Sequence, residues 1–277
     1  MANDTQADQW NGANGRFWAE HSRRYDAVLR PRTRALMKAA AVGRADRVLD
    51  VGCGCGETTR LAASSASEGS ALGVDLSAPM LEIARAAAAE LPNARFEQAD
   101  VQTRDFGTEE PYDLVLSRFG VMFFDAPETA FGNLAGALRP GGRIAFVCWQ
   151  GEGGNDYFQV PFAALAPYVE LPAPVAPNAP GGYSLADPDR VAALLTGAGF
   201  TEPRLESLTE PLRIGDDAVD VVSFLRRRPV FRELLDPLDD ETAARATDAL
   251  TAAHRPYETA DGVLMNAPSW LVTAARP

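Results

Sequence analysis

A glycine-rich segment near residue 50 has the residue types of a cofactor-binding turn. Residues 48–57 read VLDVGCGCGE, with three glycines at alternate positions after a short apolar run. Glycine lets a backbone approach a ligand closely, and the first turn of a helix offers unpaired N–H groups to a carboxylate or phosphate. A strand that ends in such a turn and continues as a helix predicts a nucleotide-type cofactor site.

The spacing of the glycines distinguishes between kinds of cofactor. The dinucleotide fingerprint G-x-G-x-x-G, counted from Gly52, needs a glycine where the chain has Glu57. Counted from Gly54, it needs a glycine where the chain has Thr59. NAD and FAD are therefore disfavoured, although a nucleotide-binding oxidoreductase stays open as an alternative. A tight strand-to-helix turn without any ligand is the other alternative.

Short apolar strands alternate with helical patterns along most of the chain, and this alternation must position the turn. Because strands that are joined through helices run parallel with right-handed crossovers, the order predicts an α/β fold. We expect a Rossmann-like, seven-stranded, mostly parallel sheet with helices on both faces. The predicted strands cover 47–51, 71–75, 94–98, 112–117, 143–149 and 201–214, with a last strand or hairpin at 262–274, and the predicted helices cover 58–65, 77–91, 127–138 and 188–197.

The ordered set of motifs over residues 45–150 resembles the class I S-adenosylmethionine-dependent methyltransferases. Within that class it is most similar to the group that includes the ubiquinone and menaquinone biosynthesis methyltransferases. The motifs are the D-x-G-x-G-x-G turn of Asp50 to Gly56, the acid Asp75 at the end of strand two, an acid after strand three, and the turn of Leu138 to Gly142 before strand five.

This resemblance implies S-adenosylmethionine as the cofactor and S-adenosylhomocysteine as the product. It places the glycine turn under the methionine part and Asp75 on both ribose hydroxyls, a role that suits a carboxylate because it can accept two hydrogen bonds. Taken alone, Asp75 and Asp100 could equally cap helices or turns. The cofactor-binding residues implied in the core are Asp50, Gly52, Cys53, Gly54, Asp75, Leu76, Met80, Asp100, Val101 and Ser117.

Aromatic residues flank the predicted cofactor site. After strand four, where the family has the floor beneath the methyl group, Phe119 and Met122 are expected to line the acceptor pocket. In the N-terminal segment, Trp18 and Tyr25 precede the first strand, and aromatic faces attract a sulfonium cation. We therefore expect both near the methyl donor. Ordinary core packing is the alternative for each of these residues.

Three regions follow from this layout. Residues 1–44 are predicted to form a helical arm that closes over the cofactor site, 45–150 the cofactor-binding core, and 151–277 the rest of the sheet. Two lid insertions, 150–183 and 216–255, follow strands five and six. The first is rich in proline and carries apolar residues, so it predicts an apolar lid. Its contribution to the acceptor pocket is predicted to come from Phe158 and Phe162.

The implied function is methyl transfer by in-line displacement to a small acceptor, hydrophobic or aromatic in character. The donor is already activated, so the protein mainly aligns the acceptor and excludes water. A general base helps with phenols and acidic carbons. His21, Tyr157 and His254 are the candidates, each with a structural role as its alternative. A non-catalytic S-adenosylmethionine-binding protein that acts as a sensor or partner is the rival function.

Composition narrows the partners. Acids outnumber bases 38 to 26, and the formal net charge of -12 disfavours nucleic acid and anionic membrane surfaces. No apolar run approaches the length of a membrane span, and no secretory signal is visible, so a cytoplasmic protein is expected. Three cysteines do not make a disulfide framework. Cys53 and Cys55 lack neighbouring ligands for a metal, so none is expected.

Overall fold

A computed structural model describes residues 4–107, 109–151, 153–173, 176 and 178–277. Residues 152, 174, 175 and 177 of the predicted insertion 150–183 lie outside the described residues. The described chain divides into two compact units. The first comprises Met1–Gln150, Pro177–Leu208 and Ser269–Pro277, and the second comprises Gly151–Ala176 and Thr209–Pro268.

The strands and helices take the following bounds. The strands are β1 (Arg47–Val51), β2 (Ser70–Asp75), β3 (Ala94–Gln98), β4 (Tyr112–Arg118), β5 (Leu138–Trp149), β6 (Thr201–Leu208), β7 (Leu212–Gly215), β8 (Glu258–Thr259), β9 (Gly262–Met265) and β10 (Ser269–Ala275). The helices are α1 (Asp4–Asn11), α2 (Ala13–Glu20), α3 (Ser22–Ala40), α4 (Glu57–Ser65), α5 (Ala78–Ala87), α6 (Pro127–Ala137), α7 (Asp156–Leu165), α8 (Pro188–Gly197), α9 (Ala218–Leu225), α10 (Pro229–Leu235) and α11 (Asp240–His254).

The first unit is built on a seven-stranded sheet in the order β3-β2-β1-β4-β5-β10-β6. Strands β1 to β5 pair in parallel, and β10 runs antiparallel to both β5 and β6. The expected Rossmann-like, mostly parallel sheet is therefore confirmed. Its central strands are buried on both faces, as a sheet covered by helices requires. Leu49, Val115 and Phe146, from three adjacent strands, have no exposed surface.

The predicted single strand over 201–214 is wrong. Strand β6 ends at Leu208 and pairs with β10, whereas β7 begins at Leu212 and pairs with β9 in a three-stranded antiparallel sheet, β7-β9-β8, of the second unit. Pro211 lies between the two strands and has no N–H to donate to a ladder, so a continuous strand is interrupted there.

The chain end also differs from a hairpin. Strand β9 pairs with β7 and β8, and β10 pairs with β5 and β6, so the two strands belong to different sheets. Pro268 separates them. The helix expected over 77–91 has Ser77 as its N-cap, as predicted, but ends at Ala87. None of the described helices has the length and apolar character that crossing a bilayer needs.

Candidate functional site

The glycine turn follows β1 at the point where the strand order reverses between β1 and β4. Open α/β sheets bind ligands at such switch points, beyond the carboxyl ends of the strands. Gly52 has a φ of 64°, and a Cβ there would lie 2.6 Å from the Cα of Gly120, just after β4. Only glycine permits this approach of two backbones. The turn and the segment after β4 therefore form one surface.

Gly54 differs from its neighbours because the space beside it is open. Its φ is 54°, and the nearest atom to a Cβ built there is Sδ of Met80, at 3.8 Å. A Cβ on Gly56 would instead lie 2.7 Å from the Phe96 ring. Gly56 therefore serves packing of the turn. Gly54 has the open space beside it that a ligand backing onto the turn requires.

Asp75, at the end of β2, holds this turn in place. Its Oδ2 accepts a hydrogen bond from the Gly54 N–H at 2.7 Å, and its Oδ1 accepts one from the Ser77 N–H at 2.8 Å. Burial raises the pKa of this carboxyl group above its ordinary value. Each oxygen can accept a further hydrogen bond, so the carboxylate can still receive two hydroxyl groups. The residue thus fits a ribose.

Asp50 is a buried acid with one oxygen unused. Its Oδ2 accepts hydrogen bonds from the hydroxyl groups of Thr58, at 2.7 Å, and Thr59, at 2.6 Å. Its Oδ1 has no hydrogen-bond partner among the described residues. Complete burial raises the pKa of this carboxyl group to about 6. A buried acceptor without a partner is costly, and a ligand cation or donor would satisfy it. S-adenosylmethionine offers an ammonium group for this purpose.

Asp100 and Val101 follow β3, where the resemblance implied an acid that binds the cofactor. Gln102 donates to Asp100 Oδ1 through its backbone N–H, at 2.9 Å, and its side-chain Nε2 lies 3.2 Å from both carboxylate oxygens. The Val101 side chain is buried, and its carbonyl accepts a hydrogen bond from Asn133 Nδ2 at 2.6 Å. This arrangement fixes the loop after β3.

Two other predicted cofactor residues are engaged within the protein. The Ser117 hydroxyl donates to the Val51 carbonyl at 2.7 Å and accepts from the Gly120 N–H at 3.1 Å, so it joins the ends of β1 and β4. The Cys53 thiol is buried, which raises its pKa and keeps it protonated. Their side chains therefore shape the turn, and contact with a ligand stays a prediction.

The N-terminal helices bring Trp18 and Tyr25 together. Their rings are stacked, with centroids 3.5 Å apart and an interplanar angle of 9°. His21, between them in sequence, stacks on Phe17, and its Nδ1 lies 2.9 Å from the Phe17 carbonyl. Both aromatic residues predicted near the methyl donor thus belong to one cluster. The role of His21 as a general base stays a prediction.

Sequence reasoning missed an ion cluster that joins α3, α4 and β4. The Arg118 guanidinium donates to Asp26 Oδ1 at 2.9 Å, to Glu57 Oε2, and to the Thr33 hydroxyl at 2.7 Å. Arg118 is 12% exposed and the two acids about one fifth, so this cluster is shielded from water. Burial raises the pKa of Glu57, which the arginine opposes. The sequence signal that could have revealed this cluster is the arginine that directly precedes Phe119.

The segment after β4 carries an aromatic pair at the sheet edge. Phe119 has a φ of 62°, a conformation that costs a side-chain-bearing residue about 1 kcal/mol and points to a functional constraint. Its ring stacks on Trp149 at the end of β5, with centroids 4.0 Å apart. The Sδ atom of Met122 lies 3.4 Å from the Trp149 backbone nitrogen and accepts its hydrogen bond. Both predicted pocket residues of this segment therefore lie at the carboxyl edge of the sheet.

The other predicted residues lie in the second unit. Tyr157 and Phe158 make an edge-to-face ring contact, and Phe162 stacks on Phe231 at 5.3 Å. His254 is buried at the end of α11, its Nδ1 lies 2.7 Å from the Leu250 carbonyl, and burial lowers its pKa. Among the described residues, no group of three or more histidine, cysteine, aspartate or glutamate side chains could hold a metal ion.

Comparison with known proteins gives this geometry a family. Residues 48–142 match the family profile described as a methyltransferase domain. The chain is 31% identical over 239 residues to a trans-aconitate 2-methyltransferase of Methylobacterium nodulans, covering 83% of this chain and 86% of that protein. A homologue of the same name from Methylobacterium radiotolerans is 30% identical over 216 residues, covering 74% and 76%. Uncharacterised proteins of Mycobacterium tuberculosis and Mycobacterium bovis are 32% identical, and the match spans 61% of their length and of this chain.

Solved structures share the fold. The YcgJ protein of Bacillus subtilis superposes with a TM-score of 0.57 at 18% identity, over 88% of this chain and 97% of that one. A phosphoethanolamine N-methyltransferase of Haemonchus contortus, solved with S-adenosylhomocysteine, superposes with a TM-score of 0.58 at 18% identity, over 98% of this chain and 59% of that one.

A Rossmann-like sheet with a glycine turn at its switch point and acids at or just beyond the ends of its first three strands defines a protein that binds a nucleoside cofactor. The chain belongs to the class I S-adenosylmethionine-dependent methyltransferases. S-adenosylmethionine is the methyl donor of that class, and the open space at Gly54, the unused oxygen of Asp50 and the spare acceptor capacity of Asp75 fit it.

Proposed function

We propose that the protein transfers the methyl group of S-adenosylmethionine to a small, largely apolar or aromatic acceptor. The observation that carries this proposal is the stacked pair of Phe119 and Trp149, 4.0 Å apart at the carboxyl edge of the sheet. Phe119 belongs to the segment whose Gly120 touches Gly52 of the glycine turn. Both aromatic residues are buried. An apolar aromatic wall beside the cofactor turn suits an acceptor with a flat apolar body.

The residues of the turn divide the binding task among them. Asp75 is proposed to accept the two ribose hydroxyls, and Asp50 to accept the methionine ammonium at Oδ1. Gly54 leaves room for the ligand. When bound, S-adenosylmethionine supplies a methyl group that is activated by a positively charged sulfur. The protein then has to orient the acceptor and keep water away, and the aromatic residues do both.

Neither histidine is part of this proposal as a general base. Nδ1 of His21 and Nδ1 of His254 each lie within hydrogen-bond distance of a backbone carbonyl, and His254 is almost completely buried. Tyr157 stays a predicted proton acceptor for phenolic acceptors. The expected cytoplasmic location belongs to the same proposal.

The proposal is tested by turnover of an acceptor panel. Purified protein is incubated with S-adenosylmethionine and phenols, quinols, aliphatic acids or short oligonucleotides, and S-adenosylhomocysteine is quantified. We expect turnover with a phenol or quinol. Turnover confined to oligonucleotides would contradict the proposal, and cofactor binding without turnover of any acceptor would favour the sensor function.

The role of the stacked pair of Phe119 and Trp149, here called the platform, is tested by Phe119→Leu. Loss of ring stacking is expected to raise KM for an aromatic acceptor about two- to tenfold, because an aromatic pair contributes roughly 0.5–1.5 kcal/mol beyond its buried area. Phe106→Leu is the matched control, since Phe106 lies in the loop after β3 and packs edge-to-face on Tyr112, the first residue of β4. Equal changes in KM for the two variants would argue against a platform at Phe119.

A carboxylic acid is the second candidate acceptor. The observation in its favour is the name of the Methylobacterium relatives, trans-aconitate 2-methyltransferases, at 30% and 31% identity. A methyl ester would be the product, and an ionised carboxylate needs no general base. Trans-aconitate in the acceptor panel decides between the candidates: its turnover, with phenols and quinols inert, would favour the acid.

A further inference from the structure

The N-terminal helices are hydrogen-bonded to the loop that directly follows Asp75, the residue proposed to bind the ribose. The amide of Asn11, the last residue of α1, donates through Nδ2 to the Leu76 carbonyl at 3.0 Å and accepts through Oδ1 from the Ala78 N–H at 3.0 Å. Leu76 and Ala78 flank Ser77. The side-chain amide therefore pairs with the backbone on both sides of Ser77, using one donor and one acceptor as a neighbouring strand would.

Ser77 connects these hydrogen bonds to Asp75. Its hydroxyl donates to the Trp10 carbonyl at 2.7 Å, while its backbone N–H donates to Asp75 Oδ1 at 2.8 Å. Ser77 has no exposed surface. A continuous series of hydrogen bonds thus runs from the N-terminal segment to the carboxylate that is proposed to hold the ribose.

The packing at this point is close. A Cβ on Gly15 would lie 1.7 Å from the Trp10 carbonyl oxygen and 2.8 Å from the Ser77 hydroxyl, so a side chain there would force the helices off the loop. The Trp10 ring also makes an edge-to-face contact with Phe123, with centroids 5.1 Å apart. Phe123 lies in the segment after β4. The N-terminal helices therefore contact the loop after β2 and the segment after β4 at the same time.

We infer that Asn11 is a positioning residue that latches the N-terminal helices onto residues 76–78 and couples their docking there to cofactor binding. The inference rests on the proposed function, because it needs Asp75 to bind the ribose. With the latch closed, the Ser77 N–H is held where it orients the Asp75 carboxylate. Cofactor binding, in turn, favours the closed latch, since a coupling between two sites is reciprocal.

The test measures S-adenosylhomocysteine affinity by calorimetry and hydrogen exchange of residues 4–20 with and without this ligand. In the wild type, the ligand is expected to slow exchange in α1 and α2. Asn11→Ala removes both hydrogen bonds to the backbone of residues 76–78, together with the one that Nδ2 donates to the Ala7 carbonyl at 2.7 Å within α1. We therefore expect an affinity about tenfold weaker and loss of that ligand-dependent protection. Asn14→Ala is the matched control, because Asn14 lies on α2 and makes neither of these contacts.

A second variant covers the case in which Asn11→Ala fails to fold. Asn11→Gln keeps an amide but moves it one methylene away, and the same two losses are expected. Wild-type affinity and wild-type protection in a folded Asn11 variant would overturn the latch and leave the proposed function standing. A wild-type protein that does not bind S-adenosylhomocysteine would overturn both, so the two failures are distinguishable.

Discussion

At the scale of single residues, two buried carboxylates have different surroundings although both lie at the carboxyl ends of neighbouring strands of one sheet. Both oxygens of Asp75 accept backbone N–H groups, which fix its orientation. Within the described part of the chain, only the Oδ2 atom of Asp50 has hydrogen-bond partners. Burial raises the pKa of both groups, and a ligand donor or cation would relieve this effect. The two acids are therefore the residues whose removal tests the cofactor site most directly.

Asp75→Ala is expected to abolish cofactor binding and leave a folded protein. The variant loses the proposed ribose acceptor and the acceptor for the N–H groups of Gly54 and Ser77, which lowers the free energy of unfolding by about 2 kcal/mol. Calorimetry with S-adenosylhomocysteine measures the binding, and circular dichroism checks the fold. Asp248→Ala, which removes an exposed acid, serves as the control. Unchanged affinity in Asp75→Ala would mean that the ribose lies elsewhere.

Asp50 is expected to give the stability a specific pH dependence. Its pKa of about 6 in the folded protein exceeds its ordinary 3.8, so the folded state binds this proton more tightly than the unfolded chain. Protonated Asp50 therefore adds to the free energy of unfolding below pH 3.8. This contribution, roughly 3 kcal/mol, is lost as the pH rises through about 6.

Denaturant titrations of the wild type and Asp50→Asn between pH 4 and pH 7 measure this effect. The free energy of unfolding of the wild type, relative to the variant, should fall across this interval, because asparagine does not titrate. A difference that is constant with pH would contradict the assignment.

At the scale of elements, one glycine of the turn is needed for folding and another for ligand binding. The Gly52 turn residue enables β1 and the segment after β4 to approach, whereas Gly54 borders open space. The cluster of Arg118, Asp26 and Glu57 then ties the strand end to α3 and α4. Removing one member of a shielded ion pair leaves the others uncompensated, so a single substitution in this cluster is expected to destabilise the protein.

Two alanine variants distinguish the two kinds of glycine. Gly52→Ala puts a Cβ 2.6 Å from Gly120 at a positive φ and should lower the free energy of unfolding by about 2 kcal/mol or more. Gly54→Ala should cost about 1 kcal/mol, from its φ alone, but weaken S-adenosylhomocysteine binding at least tenfold because the methyl group fills the open space. Wild-type affinity in Gly54→Ala would exclude the cofactor from this position.

At the scale of the whole molecule, the net charge of -12 governs which polyanions can approach. Arginines such as Arg118 and Arg104 are engaged with acids. A strongly acidic protein repels the phosphate backbone, whose charge dominates non-specific binding.

Fluorescence anisotropy tests this prediction with labelled single- and double-stranded oligonucleotides at about 0.15 M salt. We expect no binding at micromolar protein concentrations. Saturable binding that weakens with added salt would contradict the exclusion of nucleic acid. Oligonucleotides would then become the first acceptors to test.

The resemblance of the sequence to the class I methyltransferases implied the cofactor. By itself, the sequence determined the strands of the parallel part of the sheet and the placement of Asp50, Gly54 and Asp75 near strand ends. These features are local, since each depends on a residue's position relative to the end of its own strand, and strand ends follow from short apolar runs bounded by turns.

Only the tertiary structure decided what those residues contact. Asn11 and Leu76 are 65 positions apart, and Asp26 and Arg118 are 92 apart, so no spacing rule connects either pair. The departure of β7 from the path of β6 was likewise decided by pairing with β9, about 50 residues later. Contacts between distant segments depend on how the elements pack, which a local pattern does not encode.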